Sequence, residues 1–392
     1  MKVLLLTPSL ERPGGIQRYT ATLARALKDL MGIQSVRCMA LNEDLIGPGN
    51  ARLTARSKWG FGWQAAWEAV RWQPDLIICA HLALGPIGWL VRILAGPPYW
   101  IIVHGVEAWM QLPGWKRGAL RRADRVIVTS AFSCEQVVKR HKIEDKRISS
   151  LPCTLDETLL GAKPAEAGAC ARLSDMGRLV LTVARMAAWE RYKGHDVVLR
   201  ALPSVVAKIP NLTYVIVGGG DDRPRLERLT QELGLTQHVV FTGEVTESEL
   251  AAIYHRSEVF VLPARTVIDE HNPKGEGFGI VFLEAMAFGK PVIGPNYGAP
   301  TELIRHGERG FLVDPEDPAA VADALIHLLN TPEEAKRMGE SARRWVRQGY
   351  SFNSLRQRLG ELLVDSGCNL PDQGAALDSA WANRSGSPKD HS

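Results

Sequence analysis

Short apolar runs of strand length alternate along this chain with amphipathic stretches of helical length, and the alternation starts twice. The first series places strands at Lys2–Thr7, Ser35–Leu41, Asp75–Ala80, Tyr99–His104, Arg125–Ser130 and Ile148–Leu151. Between about Asp156 and Gly177 the pattern lapses into small, aperiodic residues (Gly-Ala-Lys-Pro-Ala-Glu-Ala-Gly-Ala). It then resumes with strands at Leu179–Ala184, Thr213–Val217, Val239–Thr242, Val259–Leu262, Pro291–Gly294 and Gly310–Val313. Helices over Gly194–Lys208 and Arg223–Leu233, from Glu247 and after Gly279 separate them. Continuous apolar strands separated by helices imply parallel sheets covered on both faces. The expected fold class is therefore α/β, with two doubly wound, Rossmann-like domains.

The boundaries follow from the same pattern: a first domain over 1–160, a linker over 161–177, and a second domain over 178–350 that includes helices at Pro318–Leu329 and Pro332–Gln348. A last helix, Phe352–Val364 within 351–365, is expected to pack back on the first domain. The tail 366–392 is polar, aperiodic and expected to be disordered.

Composition narrows the setting. With 392 residues, 45% hydrophobic and 23% charged, the chain can give each domain its own core. Six cysteines form no Cys-x-x-Cys pair, and no His cluster accompanies them, so neither a zinc site nor a disulfide framework is expected. The apolar run at the start is stopped by Pro8, which argues against a signal peptide, and no run reaches the ~18 residues of a spanning helix. A cytoplasmic location follows, with peripheral attachment at the inner face of the plasma membrane as its extension. Charge is uneven: residues 1–175 carry about 23 basic and 15 acidic side chains, roughly +8, and the remainder is roughly −4. An anionic membrane surface or an anionic substrate would account for the basic half; so would a basic surface with no specific partner. No nucleic-acid motif accompanies it.

In two doubly wound domains ligands bind outside the carboxyl ends of the strands, so the residues that follow strands are the candidates. After the first strand, Gly14-Gly15 opens a helix and offers backbone N–H groups to an anion. After the fourth stands His104-Gly105, an imidazole able to bond a sugar hydroxyl or move a proton. In the second domain Arg185 and Lys193 follow a strand and can neutralise a diphosphate together. A tight turn, a structural histidine and solvated cations are the corresponding bland readings. Gly218-Gly219-Gly220-Asp221-Asp222 follows the next strand but is not a P-loop or a dinucleotide fingerprint. It reads as a close-approach loop with two solvated carboxylates at a helix start, and no metal is inferred.

The most informative stretch runs from Lys274 to Val292. Glu276 and Glu284 stand eight apart across a glycine-rich turn; Phe278, Gly279 and Ile280 can aim amides at an anion or sugar, and each carboxylate can accept from hydroxyl pairs. A Glu284 buried among Phe282, Leu283 and Met286 would be costly without a partner.

The frame Glu276-Gly-Phe-Gly-Ile-Val-Phe-Leu-Glu284-Ala-Met-Ala-Phe-Gly-Lys-Pro-Val resembles the signature of the retaining GT-B glycosyltransferases of family 4. Gly14-Gly15, His104-Gly105, Arg185 with Tyr192-Lys193-Gly194-His195-Asp196, and Gly243-Glu244-Val245 fit the same family in order over essentially 1–365. The resemblance implies a GT-B fold facing a central cleft, no cofactor, a nucleotide diphosphate sugar (GDP-mannose or a UDP-sugar) in the second domain, and a glycan or lipid-linked acceptor in the first. It implies that Glu284 holds the ribose, Glu276 the donor sugar, Arg185 and Lys193 the diphosphate, and the Val245 backbone the base. Gly15 would approach the diphosphate across the cleft and His104 the donor sugar. Phe278, Gly279 and Ile280 would line the donor, and Glu276 would position it rather than act as a base. The stretch Arg265–Lys274 is longer than in many members. A sugar-nucleotide epimerase or hydrolase, and a non-catalytic sugar-nucleotide binding protein, are the competing readings.

Trp59, Trp63, Trp67 and Trp72 lie with Arg56, Lys58 and Arg71 in one segment, and Trp109 and Trp115 precede Lys116, Arg117, Arg121 and Arg122. Aromatic and basic residues on helices suit an anionic lipid interface, but Trp63 and Trp67, four apart, equally suit a core.

Overall fold

A computed structural model describes residues 1–10, 14–41, 57–155, 157–163 and 176–367. Most of the expected linker, the end of the tail, Arg56, Cys170 and Cys368 lie outside the described residues. The first sheet contains β1 (Val3–Thr7), β2 (Val36–Ala40), β3 (Leu76–Cys79), β4 (Tyr99–Val103), β5 (Arg125–Val128) and β6 (Ile148–Ser150), in the order β2-β1-β3-β4-β5-β6. The second contains β7 (Arg178–Val183), β8 (Leu212–Val217), β9 (Val239–Gly243), β10 (Val259–Val261), β11 (Val292–Pro295) and β12 (Gly310–Val313), in the order β12-β11-β10-β7-β8-β9. Every strand pairing is parallel.

The two orders differ in kind. Counted from its own first strand, the second sheet runs 3-2-1-4-5-6, the dinucleotide-binding order, whereas the first runs 2-1-3-4-5-6, as flavodoxin-like sheets begin. Order reverses beside β1 in the first sheet and between β7 and β10 in the second, so the loops after β1, β7 and β10 flank the switch points.

The strands are continuous apolar runs because both faces are covered: β1, β4 and β8 are buried at every position. On one face of the first sheet lie α2 (Lys58–Trp72), α3 (Gly85–Ala95) and α4 (Gly114–Arg122), over a core with Leu4, Leu6, Phe61 and Ile101. On the other lies α1 (Gly15–Met31), sharing a core with Val3 and Leu5 of β1. The chain continues through α5 (Ala131–His141) and α6 (Glu157–Gly161) to the second domain. There α7 (His195–Lys208), α8 (Arg223–Glu232), α9 (Glu247–Arg256), α10 (Ile280–Ala287), α11 (Pro318–Asn330) and α12 (Pro332–Gly349) cover the second sheet. Thr246 caps α9 through a capping box with Glu249.

The last helix, α13 (Phe352–Asp365), packs on α1: the Arg25 guanidinium lies 4.2 Å from the Phe352 ring centroid, and Arg356 Nε lies 2.5 Å from Asp29 Oδ2. Its apolar residues Phe352, Leu355, Leu359 and Leu363 share the core with Tyr19, Leu23 and Leu27 of α1. The described cysteines Cys38, Cys79, Cys134 and Cys153 are free thiols.

Candidate functional site

Two glycine loops of the first domain face the second across the interdomain cleft. After β1, Gly14 caps α1 and Gly15 follows, close enough to the second domain that a Cβ on Gly15 would lie 3.2 Å from Ile280 Cδ1. After β4 the backbone of His104-Gly105 meets Gly277: a Cβ on Gly105, where φ is +155°, would lie 2.5 Å from Gly277 Cα. Only glycine permits that approach. Ser130 Oγ donates to Gly277 O at 3.0 Å, and Glu302 of the second domain accepts from the amides of Ala131 and Phe132 at the start of α5, both at 2.8 Å. A carboxylate on a helix N-terminus is a favourable electrostatic contact.

Within the second domain, Lys193 Nζ lies 2.6 Å from Glu276 Oε1, and the two side chains are only 13% and 14% exposed. Arg185 Nη2 lies 2.6 Å from Glu190 Oε1; the arginine is 66% exposed and stacks over Trp189, while the glutamate is buried. Thus both cations that the sequence assigns to a diphosphate are tied to carboxylates in this structure. Glu190 Oε2, His195 Nε2 and Asp196 Oδ1 are buried without a hydrogen-bond partner among the described residues. They fall on the segment that carries Lys193. Thr266 Oγ1, beside Gly275 and Gly298, is orphaned in the same way. Buried polar atoms are normally satisfied, and three of these four lie within three residues of Lys193 along the chain.

Glu284 lies on the fifth residue of α10, buried, and it has the partners its burial demands. Tyr254 Oη donates to Oε2 at 2.9 Å, and Arg18 Nη1 of the first domain donates to Oε1 at 3.3 Å. Burial and the adjacent Glu284 carboxylate hold the Tyr254 hydroxyl well above the ordinary tyrosine range, so it remains a donor. Gly279, with φ +95°, provides the left-handed turn into α10, and Phe278 beside it is buried against Tyr350. Val245 is half-buried after β9, its chain turning into α9.

His104 is buried, and its Nε2 is 2.8 Å from Ala80 O. A carbonyl can only accept, so Nε2 carries the proton and Nδ1 is left as an acceptor in the neutral ring. Burial depresses its pKa, outweighing the nearby Glu107 carboxylate. The ring is therefore a neutral hydrogen-bonding group rather than a resident cation. Glu107 Oε1 also accepts from the His104 amide at 2.5 Å, and Tyr19 packs edge-on at 5.4 Å.

Three sequence expectations change. Asp222 is not a solvated carboxylate: it is buried and takes Arg191 at 2.9 Å and Arg225 at 2.6 Å. Burial alone would raise its pKa, but the two guanidinium groups outweigh it and hold it low. Asp221 accepts from Ala188 N at 2.8 Å and so braces the loop that carries Arg185. Trp63 and Trp67 are not core residues: they are 65% and 69% exposed, and Trp59 is 84% exposed. Trp109, by contrast, is fully buried, its Nε1 donating to Ser133 Oγ at 3.2 Å.

The stretch Arg265–Lys274 has a definite place. Val267 and Lys274 pair antiparallel at its base, and Glu270 at its tip accepts from the Gln111 amide and side chain at 2.8 and 3.0 Å. It thus joins the second domain to the loop after His104. Arg18, Tyr254 and Glu302 escaped the sequence reasoning. Arg18 had a weak signal, one helical turn past Gly15; Tyr254 and Glu302 had none.

Two doubly wound domains meeting at a cleft, with a glycine loop on each side and paired charges at the switch point of the second sheet, define the GT-B class of protein. Comparison with known proteins places the chain within it. Residues 13–159 match the family model described as Glycosyltransferase Family 4, and residues 172–345 match Glycosyl transferases group 1. The chain belongs to the GT-B glycosyltransferases of family 4.

A GDP-mannose-dependent alpha-(1-6)-phosphatidylinositol monomannoside mannosyltransferase of Mycobacterium tuberculosis is 39% identical over 171 residues, 44% of this chain and 44% of that protein. The matched region thus spans less than half of either. A GDP-mannose-dependent monoacylated alpha-(1-6)-phosphatidylinositol monomannoside mannosyltransferase of Corynebacterium glutamicum is 28% identical over 270 residues, 66% of this chain and 68% of that one. Among solved structures, Anabaena HepE in complex with UDP and glucose superposes with a TM-score of 0.76 at 19% identity, covering 93% of this chain and 100% of that one. Sucrose-phosphate synthase from Thermosynechococcus elongatus gives 0.76 at 25% identity, covering 94% and 99%.

Proposed function

We propose that the protein is a retaining, metal-independent hexosyltransferase that moves a sugar from a nucleotide diphosphate sugar to a lipid-linked acceptor of cell-envelope glycan synthesis, working at the inner face of the membrane. The observation that carries the reading is the half-hidden Lys193–Glu276 pair, with orphaned polar atoms on the segment of Lys193 and with Gly277, next to Glu276, packed against His104-Gly105 across the cleft. Lys193 and Arg185 meet the charge of the departing diphosphate, and Glu276, relieved of Lys193 by that anion, holds the donor sugar. Stabilising the leaving group is the main electrostatic task when an anomeric C–O bond breaks through an oxocarbenium-like state. Glu284 takes the ribose hydroxyls, the Val245 backbone the base, and His104 Nδ1 accepts from a donor-sugar hydroxyl. Gly15 lets the first domain close on the diphosphate, and the acceptor attacks from the face the diphosphate leaves.

The relatives' printed activities favour GDP-mannose over a UDP-sugar and a phosphoinositide-linked acceptor over a soluble glycan. The test is a thermal-shift series with UDP, GDP, ADP, TDP, CMP and their sugar conjugates, because a ligand of the folded state raises apparent stability. The expected result is a selective shift by GDP and GDP-mannose that Glu284→Ala abolishes, followed by α-linked product from an α-linked donor at an EDTA-insensitive rate. Free sugar released without an acceptor, with no transfer when one is supplied, would turn the reading to a hydrolase. A shift without turnover would turn it to a binding protein.

A further inference from the structure

The outer layer of the first domain is unlike the rest of the surface. Helices α2, α3 and α4 lie side by side on one face of the sheet. Along α2 the buried positions include Phe61, Ala65, Ala66 and Ala69, while the solvent stripe is Trp59, Trp63, Trp67 and Val70. That stripe runs about 16 Å along the helix at 1.5 Å per residue. Ile93 and Leu94 of α3 and Trp115 of α4 add exposed side chains, at 64%, 48% and 57%. An apolar face this continuous on a described surface marks an interaction site.

Its charge is equally one-sided. The three helices carry Lys58, Arg71, Arg92, Lys116, Arg117, Arg121 and Arg122 against a single carboxylate, Glu68, which is occupied by Arg37. At the far end of the layer, a pocket of about 580 Å³ is lined by Trp89, Arg92, Arg121, Arg122, Asp124 and Arg147. Arg92 pairs with Asp124, the one acid there, while Arg121 and Arg122 donate to backbone carbonyls at 2.9 and 3.2 Å, and Arg147 donates to Ala123 O. A guanidinium has five donors, so each keeps capacity for an outside acceptor.

We propose that the α2–α3–α4 face docks on an anionic phospholipid bilayer, its tryptophan stripe at headgroup depth and its arginine-lined pocket on a lipid phosphate. Tryptophan beside Lys and Arg, on a helix lying in the plane of the surface, is the chemistry of interfacial binding. A second copy of the chain does not fit: a two-fold contact through this face would set seven cations against seven. The orientation also serves transfer. In a βα crossover the helix starts at the carboxyl end of the strand, so Trp59 and Trp115, each the second residue of its helix, stand at the His104 end of the domain. A bilayer on this face therefore borders the mouth of the cleft, where a lipid-linked acceptor must enter. This inference rests on the lipid-linked reading of the acceptor.

The test is co-sedimentation of the full chain with vesicles of phosphatidylcholine alone or containing phosphatidylglycerol, at low and high salt. Binding should require phosphatidylglycerol, weaken with salt, and shift tryptophan emission to the blue. W59Q/W63Q/W67Q should remove the blue shift, and R121Q/R122Q should weaken binding about 25-fold, at about a factor of five per cation. Both variants should keep wild-type transfer to a short-chain, water-soluble acceptor. Wild-type vesicle binding by both variants, no binding by the parent chain, or a dimer that W59Q/W63Q/W67Q dissociates would each overturn the proposal. Transfer to the soluble acceptor decides the catalytic reading separately, so loss of one leaves the other standing.

Discussion

The charges of the second domain's crevice and those of the first domain's outer face obey opposite rules. In the crevice nearly every cation has a carboxylate: Lys193 with Glu276, Arg185 with Glu190, and Arg191 and Arg225 with Asp222. On the α2–α4 face seven cations have one acid among them. Burial of the carboxylates explains the difference: Glu190 and Asp222 are withdrawn from water and must be paired even though Arg185 and Arg191 are themselves exposed, whereas the cations of the outer face have no buried acid to satisfy. On the proposed reading the paired region exchanges partners when the donor's diphosphate enters, and the unpaired one meets an anionic surface that the protein does not supply.

The largest expected effect falls on the paired side. Lys193→Ala should cut kcat by about 10²–10³ through loss of leaving-group stabilisation. Steady-state assays with saturating donor measure it, and a change confined to KM would place Lys193 in ground-state binding alone. Gly105→Ala should cost about 1–3 kcal/mol, because the new Cβ meets Gly277 Cα at 2.5 Å. Urea unfolding reads this cost, and solution scattering should show a wider cleft; an unchanged midpoint would mean that the domains do not meet there.

A pH series sharpens the comparison from a third direction. His195 is buried, and burial with the nearby Lys193 lowers its pKa to about 4. The folded state then binds fewer protons than the unfolded one below the ordinary histidine range. Its contribution is full above about pH 6.5 and is lost as pH falls toward 4. The urea midpoint should decline across that window, and His195→Gln should flatten the decline. The smallest effect belongs to the outer face. Trp63→Gln or Trp67→Gln should change stability by no more than about 0.5 kcal/mol, and a large loss would show that these rings support the fold.

What the sequence revealed and what it concealed divide along the range of the interaction. Strands such as Val3–Thr7 and Tyr99–Val103 were legible because burial on both faces leaves an unbroken apolar run. The expected ends overran by a residue or so where the chain remains buried after its ladder stops, as at His104 and Leu262. That Glu276, Lys193 and His104 lie toward the crevice was legible because strand ends point there. The Arg18–Glu284 contact was not, since it joins residues 266 apart through a cleft that only the assembled domains create. Nor was the side on which the tryptophans lie. A four-residue spacing fixes a stripe but not its direction, and small residues such as Ala65 and Ala69 formed the core face in their place.

The return of α13 to the first domain gives the molecule a mechanical property. The chain passes between the domains once before β7 and again before α13, and the two crossings run side by side, with Leu155 N donating to Tyr350 O at 2.9 Å. A single tether would leave the domains free to swivel in any direction, whereas two adjacent ones define an axle. Opening and shutting about that line remain permitted, while sliding and twisting are resisted. Any opening of the cleft between Gly15 and Ile280 would therefore turn about that line, and closing would return the two loops to the same register.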